Sequence, residues 1–396
     1  HVALRKAPET TTIFPEYDIL KQFKIMAFLK DTPIPVSNVY WYDDDESIVG
    51  APFFLMDRVE GRVPADFPPY VTSGFFYEAT PAERRKMWLN GVKVMAETHT
   101  LDWKRLGFSF LGTPGKGTDP IDRQLVYWER FFDWVKNTRD ESHPIIESSL
   151  KWLRENRYEP QQVALCWGDP KLANLMFDDE YNVKLAMDWE MAYISDPESD
   201  LSFYYFLDWQ HTQGAGFARL EGIPDRDETN RYWEEITGYQ VKNLLYNDVL
   251  AAFRFGLILV SVFKGFKKQG IPLPDDIELN NASTQRLAML LDLEPPAPMK
   301  TERKLDEITL TAQVRFTGPS GFDWYLVSDR GTVERHEGLV ENPDCTMRVS
   351  VEDWKAIQRG DLKLQDAWTD GICRVEGDTS TMLQLKDKIA ELSGLD

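Results

Sequence analysis

The sequence predicts an α+β chain in more than one unit, and three observations carry that expectation. Strands and helices are segregated, with short alternating runs and one amphipathic helix first and a long helical stretch after them. Leu293-Glu294-Pro295-Pro296-Ala297-Pro298 is a proline-rich break that reads as a semi-rigid spacer. Beyond it, period-two strands return. At 396 residues the chain also exceeds one ordinary core. The expected divisions are a small strand-rich segment at 1–60, a helical segment at 61–293, a linker at 294–302 and a second α+β unit at 303–396.

Composition bounds the function. A hydrophobic content of 42% with 13% aromatic residues is that of a globular chain rather than a disordered one. The formal charge of −20 argues against nucleic acid or an anionic membrane surface as partner, because both need a basic footprint. The three cysteines, Cys166, Cys345 and Cys373, lie far apart and suggest neither a disulfide framework nor a zinc site. A reduced, cytoplasmic setting is expected. No apolar run approaches the roughly 18 residues of a membrane span; Phe255–Phe263 is the longest and contains Ser261. The first residues do not read as a signal peptide.

In chain order, His1–Lys6 reads as the end of a strand and Phe14–Leu29 as a helix, with apolar spacing through Ile19, Leu20, Phe23, Met26 and Phe28. Val39–Tyr42 and Phe53–Met56 read as strands around the loop Asp43–Pro52. From Ala82 a helix carries Trp88, Val92, Met95 and His99 on one face. Its His99 is expected to be a packed, hydrogen-bonded core residue. Gly112–Gly117 (G-T-P-G-K-G) lacks the spacing of a phosphate loop and has no strand leading into it, so a surface loop is expected. Ile121–Val135, Ile145–Leu153, Tyr232–Leu245, Val249–Phe266 and Ser283–Leu291 are further helices, and Pro224–Arg231 a loop. Past the linker, Ile308–Phe316, Trp324–Val327, Val333–Glu337 and Cys345–Val349 are strands. Helices at Val351–Arg359 and around Lys363–Trp368, a strand within Thr369–Asp378 and a last helix follow.

Cys166–Glu190 organises the rest. Leu175-Met176-Phe177 and Val183-x-Leu185-x-Met187 form an expected hairpin around the polar turn Asp178–Asn182. That fold brings Asn174 beside Asp188, with Asp169 on the loop just before them. Oxygen ligands in this pattern suit Mg²⁺, which keeps one or two from protein. Asp169 is placed to accept a proton from a substrate hydroxyl, and Lys171 to neutralise a moving phosphoryl group. Spacing alone carries nothing: Asp225 and Asn230 repeat it inside a polar segment.

Asp169-x-Lys171-x-x-Asn174 followed by Asp188-Trp189-Glu190 resembles the catalytic and metal loops of the aminoglycoside phosphotransferase and choline kinase superfamily. The resemblance implies a bilobal protein-kinase-like fold, with a small β-rich N-lobe lacking its first hairpin and a helical C-lobe. It also implies ATP and Mg²⁺ as cofactors, Asp169 as catalytic base, and Asn174 and Asp188 as metal ligands. Trp167 stands where the family has His, and a packing role is expected of it. Arg5 is the first choice for the strand cation that holds the nucleotide phosphates and Lys6 the second; a charged edge-strand pair is the structural alternative. Gln22 occupies the helix position where a Glu would pair with that cation. The segment Met56-Asp57-Arg58-Val59-Glu60-Gly61 matches the lobe connection, with main-chain atoms of Asp57 and Val59 expected at the base. Asp200 is expected to hold the catalytic loop through backbone N–H groups, and Asp196 to cap the next helix. Glu190 has two readings, the metal's surroundings or a salt bridge.

Residues 342–392 resemble the sterol-carrier-protein lipid-binding domain through Pro343-Asp344, Arg359-Gly360-Asp361-Leu362, Ala367-Trp368 and Gly371-x-x-x-Val375-x-Gly377-Asp378. Together the resemblances imply a kinase for a hydroxylated lipophile such as a hydroxyacyl-CoA or sterol-like alcohol. The aromatic run Phe203–Gln210 suits such an acceptor, or is core. Two alternatives stand beside it. One is an aminoglycoside- or choline-type kinase using Asp208, Glu221, Asp225, Asp227 and Glu228 against a cationic acceptor. The other is a non-catalytic lipid-binding protein of kinase shape.

Overall fold

The computed structural model describes residues 2–8, 13–112, 119–136, 138, 141–269, 271, 273–296, 309–319, 321–329, 332–359, 361–362, 367, 372–377, 385 and 388–394. Two compact units divide it: His1–Lys268 with Asp275–Met299, and Gln269–Pro274 with Lys300–Asp396.

The first unit opens with β1 (Val2–Lys6), α1 (Ile19–Leu29), β2 (Val39–Asp43), the single turn α2 (Glu46–Val49) and β3 (Phe53–Asp57). The strands form an antiparallel sheet in the order β1-β3-β2, with Arg5 opposite Phe54. Phe23 of α1 packs on Phe54 and Tyr42, ring centroids 5.9 and 5.8 Å away. The helix starts at Ile19 rather than Phe14, because the Asp18 carboxylate accepts the Lys21 N–H at 2.8 Å and closes its first turn.

The helical part runs through α3 (Phe75–Glu78), α4 (Pro81–His99), α5 (Pro120–Val135) and α6 (Pro144–Glu155). Two short strand pairs follow, from β4 (Ala164–Cys166), β5 (Leu175–Phe177), β6 (Val183–Ala186) and β7 (Tyr193–Ser195). β5 pairs with β6 and β4 with β7, both antiparallel. Helices α7 (Glu198–His211), α8 (Arg226–Thr237), α9 (Leu244–Lys268) and α10 (Ala282–Leu291) complete the unit. Helix α4 begins with a reciprocal capping box between Thr80 and Glu83.

Three sequence expectations change here. Residues 226–231 are helix, not loop: Asp225 takes the Glu228 N–H at 2.8 Å, and Trp233 anchors the new turn in the core. The expected helix Tyr232–Leu245 is broken, because Gly238 sits at φ +72° as the C-cap of α8. Helix α9 is then continuous from Leu244, and it is long and apolar enough to cross a membrane, although the sequence reading found no such run. Asp248, Arg254 and Lys264 interrupt the apolar pattern, yet all three are buried in this lobe along with most of the helix. It packs against α6, α7 and α10 as a core helix.

The second unit is a five-stranded sheet in the order β10-β9-β8-β11-β12, from β8 (Thr309–Thr317), β9 (Phe322–Asp329), β10 (Thr332–Glu337), β11 (Cys345–Ser350) and β12 (Arg374–Gly377). Strands β8 and β11 are parallel and are linked in sequence through the hairpin strands. Ala312, Val314, Phe316, Trp324, Leu326, Met347 and Val349 alternate onto one buried face. Helix α11 (Val351–Arg359) sets Trp354 against Phe316 at 5.8 Å. The expected helix at Lys363–Trp368 lies outside the described residues apart from Ala367, and 113–117 of the glycine-rich stretch lie outside them too.

Removing the unforeseen cap should show in stability. Asp225→Ala is expected to destabilise the first unit by about 1 kcal/mol, read as a lower urea midpoint with an unchanged slope.

Candidate active site

The loop after β4 is held before any substrate arrives. Asp200, fully buried on the first turn of α7, accepts the Trp167 N–H at 2.6 Å and the Gly168 N–H at 3.0 Å. This is the support expected of it. Gly168 is required by geometry: its φ is +92°, and an added Cβ would sit 2.1 Å from the Met191 carbonyl oxygen. Trp167 packs as anticipated, stacked on Trp189 at 5.3 Å, and its indole N–H donates to the Met187 carbonyl at 2.8 Å. That bond ties the loop after β4 to the residue before Asp188.

His99 is a buried core residue. Trp233 Nε1 donates to His99 Nδ1 at 3.0 Å, so Nε2 carries the hydrogen that reaches Asp200 at 3.1 Å. His99, Cys166 and Asp200 offer ligand atoms within 4.8 Å of one another. Their polar atoms are already spent on these bonds and on the Cys166–Asp196 carbonyl contact, so the cluster is a hydrogen-bonded brace. Arg254, buried in α9, donates to the Gly168 carbonyl at 2.6 Å and to the Tyr193 hydroxyl at 2.9 Å. Asp196 accepts the Glu198 N–H at 3.1 Å, but the cap position expected of it falls to Pro197, because α7 begins one residue later, at Glu198.

The hairpin brings the polar groups together. Met187 N–H donates to the Asn174 carbonyl at 2.9 Å, which sets Asp188 at the exit next to the Asn174 turn. Asn174 Nδ2 donates to Asp169 Oδ2 at 2.8 Å and to its carbonyl at 2.9 Å. Lys171 Nζ lies 3.6 Å from Asp169 Oδ2 and 2.9 Å from Asp66 Oδ2. Burial lifts the Asp169 carboxyl to about 6, against the opposing pull of Lys171 and Asn174, and the Asp66 and Asp188 charges push the same way. Burial alone would lower the Lys171 ammonium, but the Asp169 and Asp66 carboxylates hold it above its ordinary value. Asp66 is half-buried, and His211, with Nε2 at 3.2 Å, and Lys171 keep it well below the usual carboxylate range against the pull of desolvation. Asp66 and His211 had no sequence signal, since each is a lone residue on a different element.

Arg5 reaches this cluster and Lys6 does not, because neighbours in a strand face opposite ways. Arg5 Nη1 lies 3.2 Å from Asp188 Oδ1, and Nη2 lies 3.3 Å from Glu190 Oε2. Lys6 Nζ donates to the Val49 carbonyl at 3.1 Å. Gln22, buried on α1, donates to the same Glu190 oxygen at 3.3 Å. The carboxylate missing from the helix is thus supplied by Glu190, which favours the salt-bridge reading of that residue. Burial and the nearby Asp188 raise the Glu190 carboxyl. A cavity of about 240 Å³ is lined by Arg5, Gln22, Met56, Leu185 and Asp188. At its lobe connection Asp57 N–H is already taken by the Asn38 carbonyl at 2.9 Å. Asp57 therefore has only its carbonyl left for a base edge, while the Val59 main chain makes no hydrogen bond among the described residues.

The donor set fits a hard divalent cation. Asp188 and Asn174 offer oxygens, and the mutual repulsion of Asp169 and Asp188 is of the kind a cation relieves. Phe203 and Tyr204 of the aromatic run are core. Tyr205, Phe206 and Trp209 also border a cavity of about 270 Å³ with Asp208, Arg219 and Arg226. Its acids are engaged: Asp208 pairs with Arg219 at 2.7 Å, and Asp248 with Arg226 at 2.8 Å.

The chain is 27% identical over 278 residues to acyl-CoA dehydrogenase family member 10 of Mus musculus, covering 66% of this chain and 24% of that protein. It is 30% identical over 236 residues to acyl-CoA dehydrogenase family member 11 of Rattus norvegicus, covering 57% of this chain and 28% of that protein. It thus spans about a quarter of the length of these relatives. Among solved structures, a Ralstonia eutropha JMP134 protein assigned as an aminoglycoside phosphotransferase shares the fold, with a TM-score of 0.55 and 24% identity over 73% of this chain and 83% of that one. Residues 289–389 match the model of the SCP-2 sterol transfer family. Residues 10–233, more than half of the chain, match the model of the phosphotransferase enzyme family, and the chain belongs to that family.

Proposed function

We propose that this protein transfers the γ-phosphoryl group of ATP to the hydroxyl of a lipophilic acceptor of the hydroxyacyl-CoA class. The observation that carries the reading is the Asp169 carboxylate, held at Oδ2 by Asn174 at 2.8 Å with Lys171 at 3.6 Å. Its other oxygen makes no hydrogen bond among the described residues, so it is available to an acceptor hydroxyl. In the reaction that hydroxyl proton passes to Asp169 as the acceptor oxygen bonds to phosphorus, and the bond to the departing ADP oxygen breaks. Lys171 neutralises charge on the phosphoryl group in flight. Arg5, lining the cavity beside Asp188, serves the phosphates of the bound nucleotide. Asn174 and Asp188 would hold Mg²⁺, which supplies charge neutralisation to the phosphates when bound.

The acceptor class is supported from two directions. The relatives are named for acyl-CoA, and the C-terminal unit matches a sterol transfer family. A cationic acceptor of the choline or aminoglycoside kind is less well served. Asp208 and Asp248 are neutralised by arginines, and Asp225 spends an oxygen on its helix cap. Gln22 in place of a helix carboxylate is one motive for the non-catalytic alternative, and the Arg5–Glu190 pair weighs against it. The three buried cysteines, Cys166, Cys345 and Cys373, lie far apart in sequence, which suits a reduced cytoplasmic compartment.

ATP consumption measured against hydroxyacyl-CoAs, choline and aminoglycosides is expected to be stimulated by the first group alone; stimulation by choline or an aminoglycoside alone would reassign the acceptor. Asp169→Asn is expected to lower turnover by about 10²–10⁴-fold while the Kd for Mg·ATP stays within about threefold, and an equal loss of binding would remove the base assignment. Because only the ionised carboxylate accepts a proton, kcat/KM should rise with pH up to about 6 and then level off. A profile flat from pH 5 to 8 would contradict this.

A further inference from the structure

A third cavity, of about 320 Å³, is bordered by Glu190 and shares no lining residue with the cavity beside Asp188. It is bordered by Lys21 of α1, Arg123 and Trp128 of α5, and Arg254 of α9. Trp128 and Arg254 are only 2% and 1% exposed. Arg123 Nη1, Trp128 Nε1 and Arg254 Nε are all buried hydrogen-bond donors without a partner among the described residues. Arg123 and Arg254 also make no ion pair there; Arg254 faces the rings of Phe203, Tyr193 and Trp128 at 4.6, 5.1 and 5.3 Å instead. Burial lowers the Lys21 ammonium, whose one short bond is to the Glu190 carbonyl at 2.8 Å. Two carboxylates border the space, but Asp18 is engaged by the Lys21 N–H, and Glu190 by Arg5 and Gln22.

Unsatisfied buried donors are costly, and buried guanidinium groups without a counter-ion more so. One anion accepting from all three would relieve these costs together. A guanidinium fork suits phosphate oxygens, and the volume exceeds what a bare phosphate fills. Leu111 and Met191 supply an apolar side. We infer that this cavity binds the phosphate group of an organic phosphate, separately from the nucleotide. Arg254 also donates to the Gly168 carbonyl, next to Asp169, so an occupant here touches a residue that holds the catalytic loop. The phosphate has two possible sources, an acidic part of the acceptor or a free phosphorylated metabolite.

The test is calorimetric titration of the full chain with inorganic pyrophosphate and, separately, with coenzyme A, in Mg²⁺ and a saturating non-hydrolysable ATP analogue. Wild type is expected to bind one equivalent of at least one probe. Arg123→Gln, at a half-buried position, should weaken that binding about tenfold. Trp128→Phe, which deletes the N–H and keeps an aromatic ring, should weaken it about threefold. Thermal unfolding of each variant checks that the fold is kept. Weakening of both probes assigns the phosphate to an acceptor, and weakening of pyrophosphate alone assigns it to a free metabolite. No binding of either probe by wild type, or wild-type affinity in both folded variants, overturns the inference. Failure of the ATP analogue to bind would count against the phosphotransfer reading alone, because pyrophosphate still reports on this cavity through the two variants.

Discussion

Asp200 accepts three hydrogen bonds with one carboxylate, from the Trp167 and Gly168 main chains and from His99, in a place with no exposed surface. Each donor left bare at such a site would cost about 1–3 kcal/mol, so the loop conformation and the first turn of α7 hold or fail together. The constraint continues in both directions. Behind Asp200, His99 passes it to Trp233 on α8; ahead of it, the left-handed turn at Gly168 directs Asp169 toward Asn174. The Trp167 indole then carries the same rigidity across to the strand exit at Met187. The Asp169 carboxylate, positioned this way, needs no substrate to order it.

Charge is arranged in linked pairs rather than isolated groups. Lys171 bridges Asp169 and Asp66, and Arg5 bridges Asp188 and Glu190. The price of the arrangement is visible at Asp169. Its folded pKa of about 6 exceeds the roughly 3.9 of a free aspartate, so the unfolded chain releases this proton first. Its contribution to stability therefore falls as pH rises between those values and is constant above them. A group that is destabilising when ionised, yet fixed by hydrogen bonds, is what a base working near neutrality requires.

The Arg5–Glu190 pair shows one arrangement replacing another. With glutamine at Gln22, α1 cannot offer a carboxylate to the strand cation, and the acid comes from the other side of the cleft, two residues after Asp188. Gln22 remains in contact, as a donor to that acid. The lobe connection has a similar economy, because the Asp57 amide is used inside the sheet and only part of its edge faces outward.

Local pattern was sufficient for the hairpin Leu175–Ala186, the strand around Arg5, most helices, and the change to strands after the proline-rich break. Alternation, apolar spacing and turn residues act over a few positions and are written in the order of the residues. The same local logic could have found the Asp225 cap, whose glutamate three residues on marks a helix start. Proximity across the chain was different in kind. That Asp66 and His211 flank Lys171, that Glu190 and not a helix residue meets Arg5, and that Arg254 sits behind Gly168 depend on elements up to 185 positions apart packing face to face. No short-range signal encodes such meetings, because burial of the intervening core brings them about. Sequence alone therefore determined which groups were present and which local turns carried them; tertiary packing decided which charges became partners.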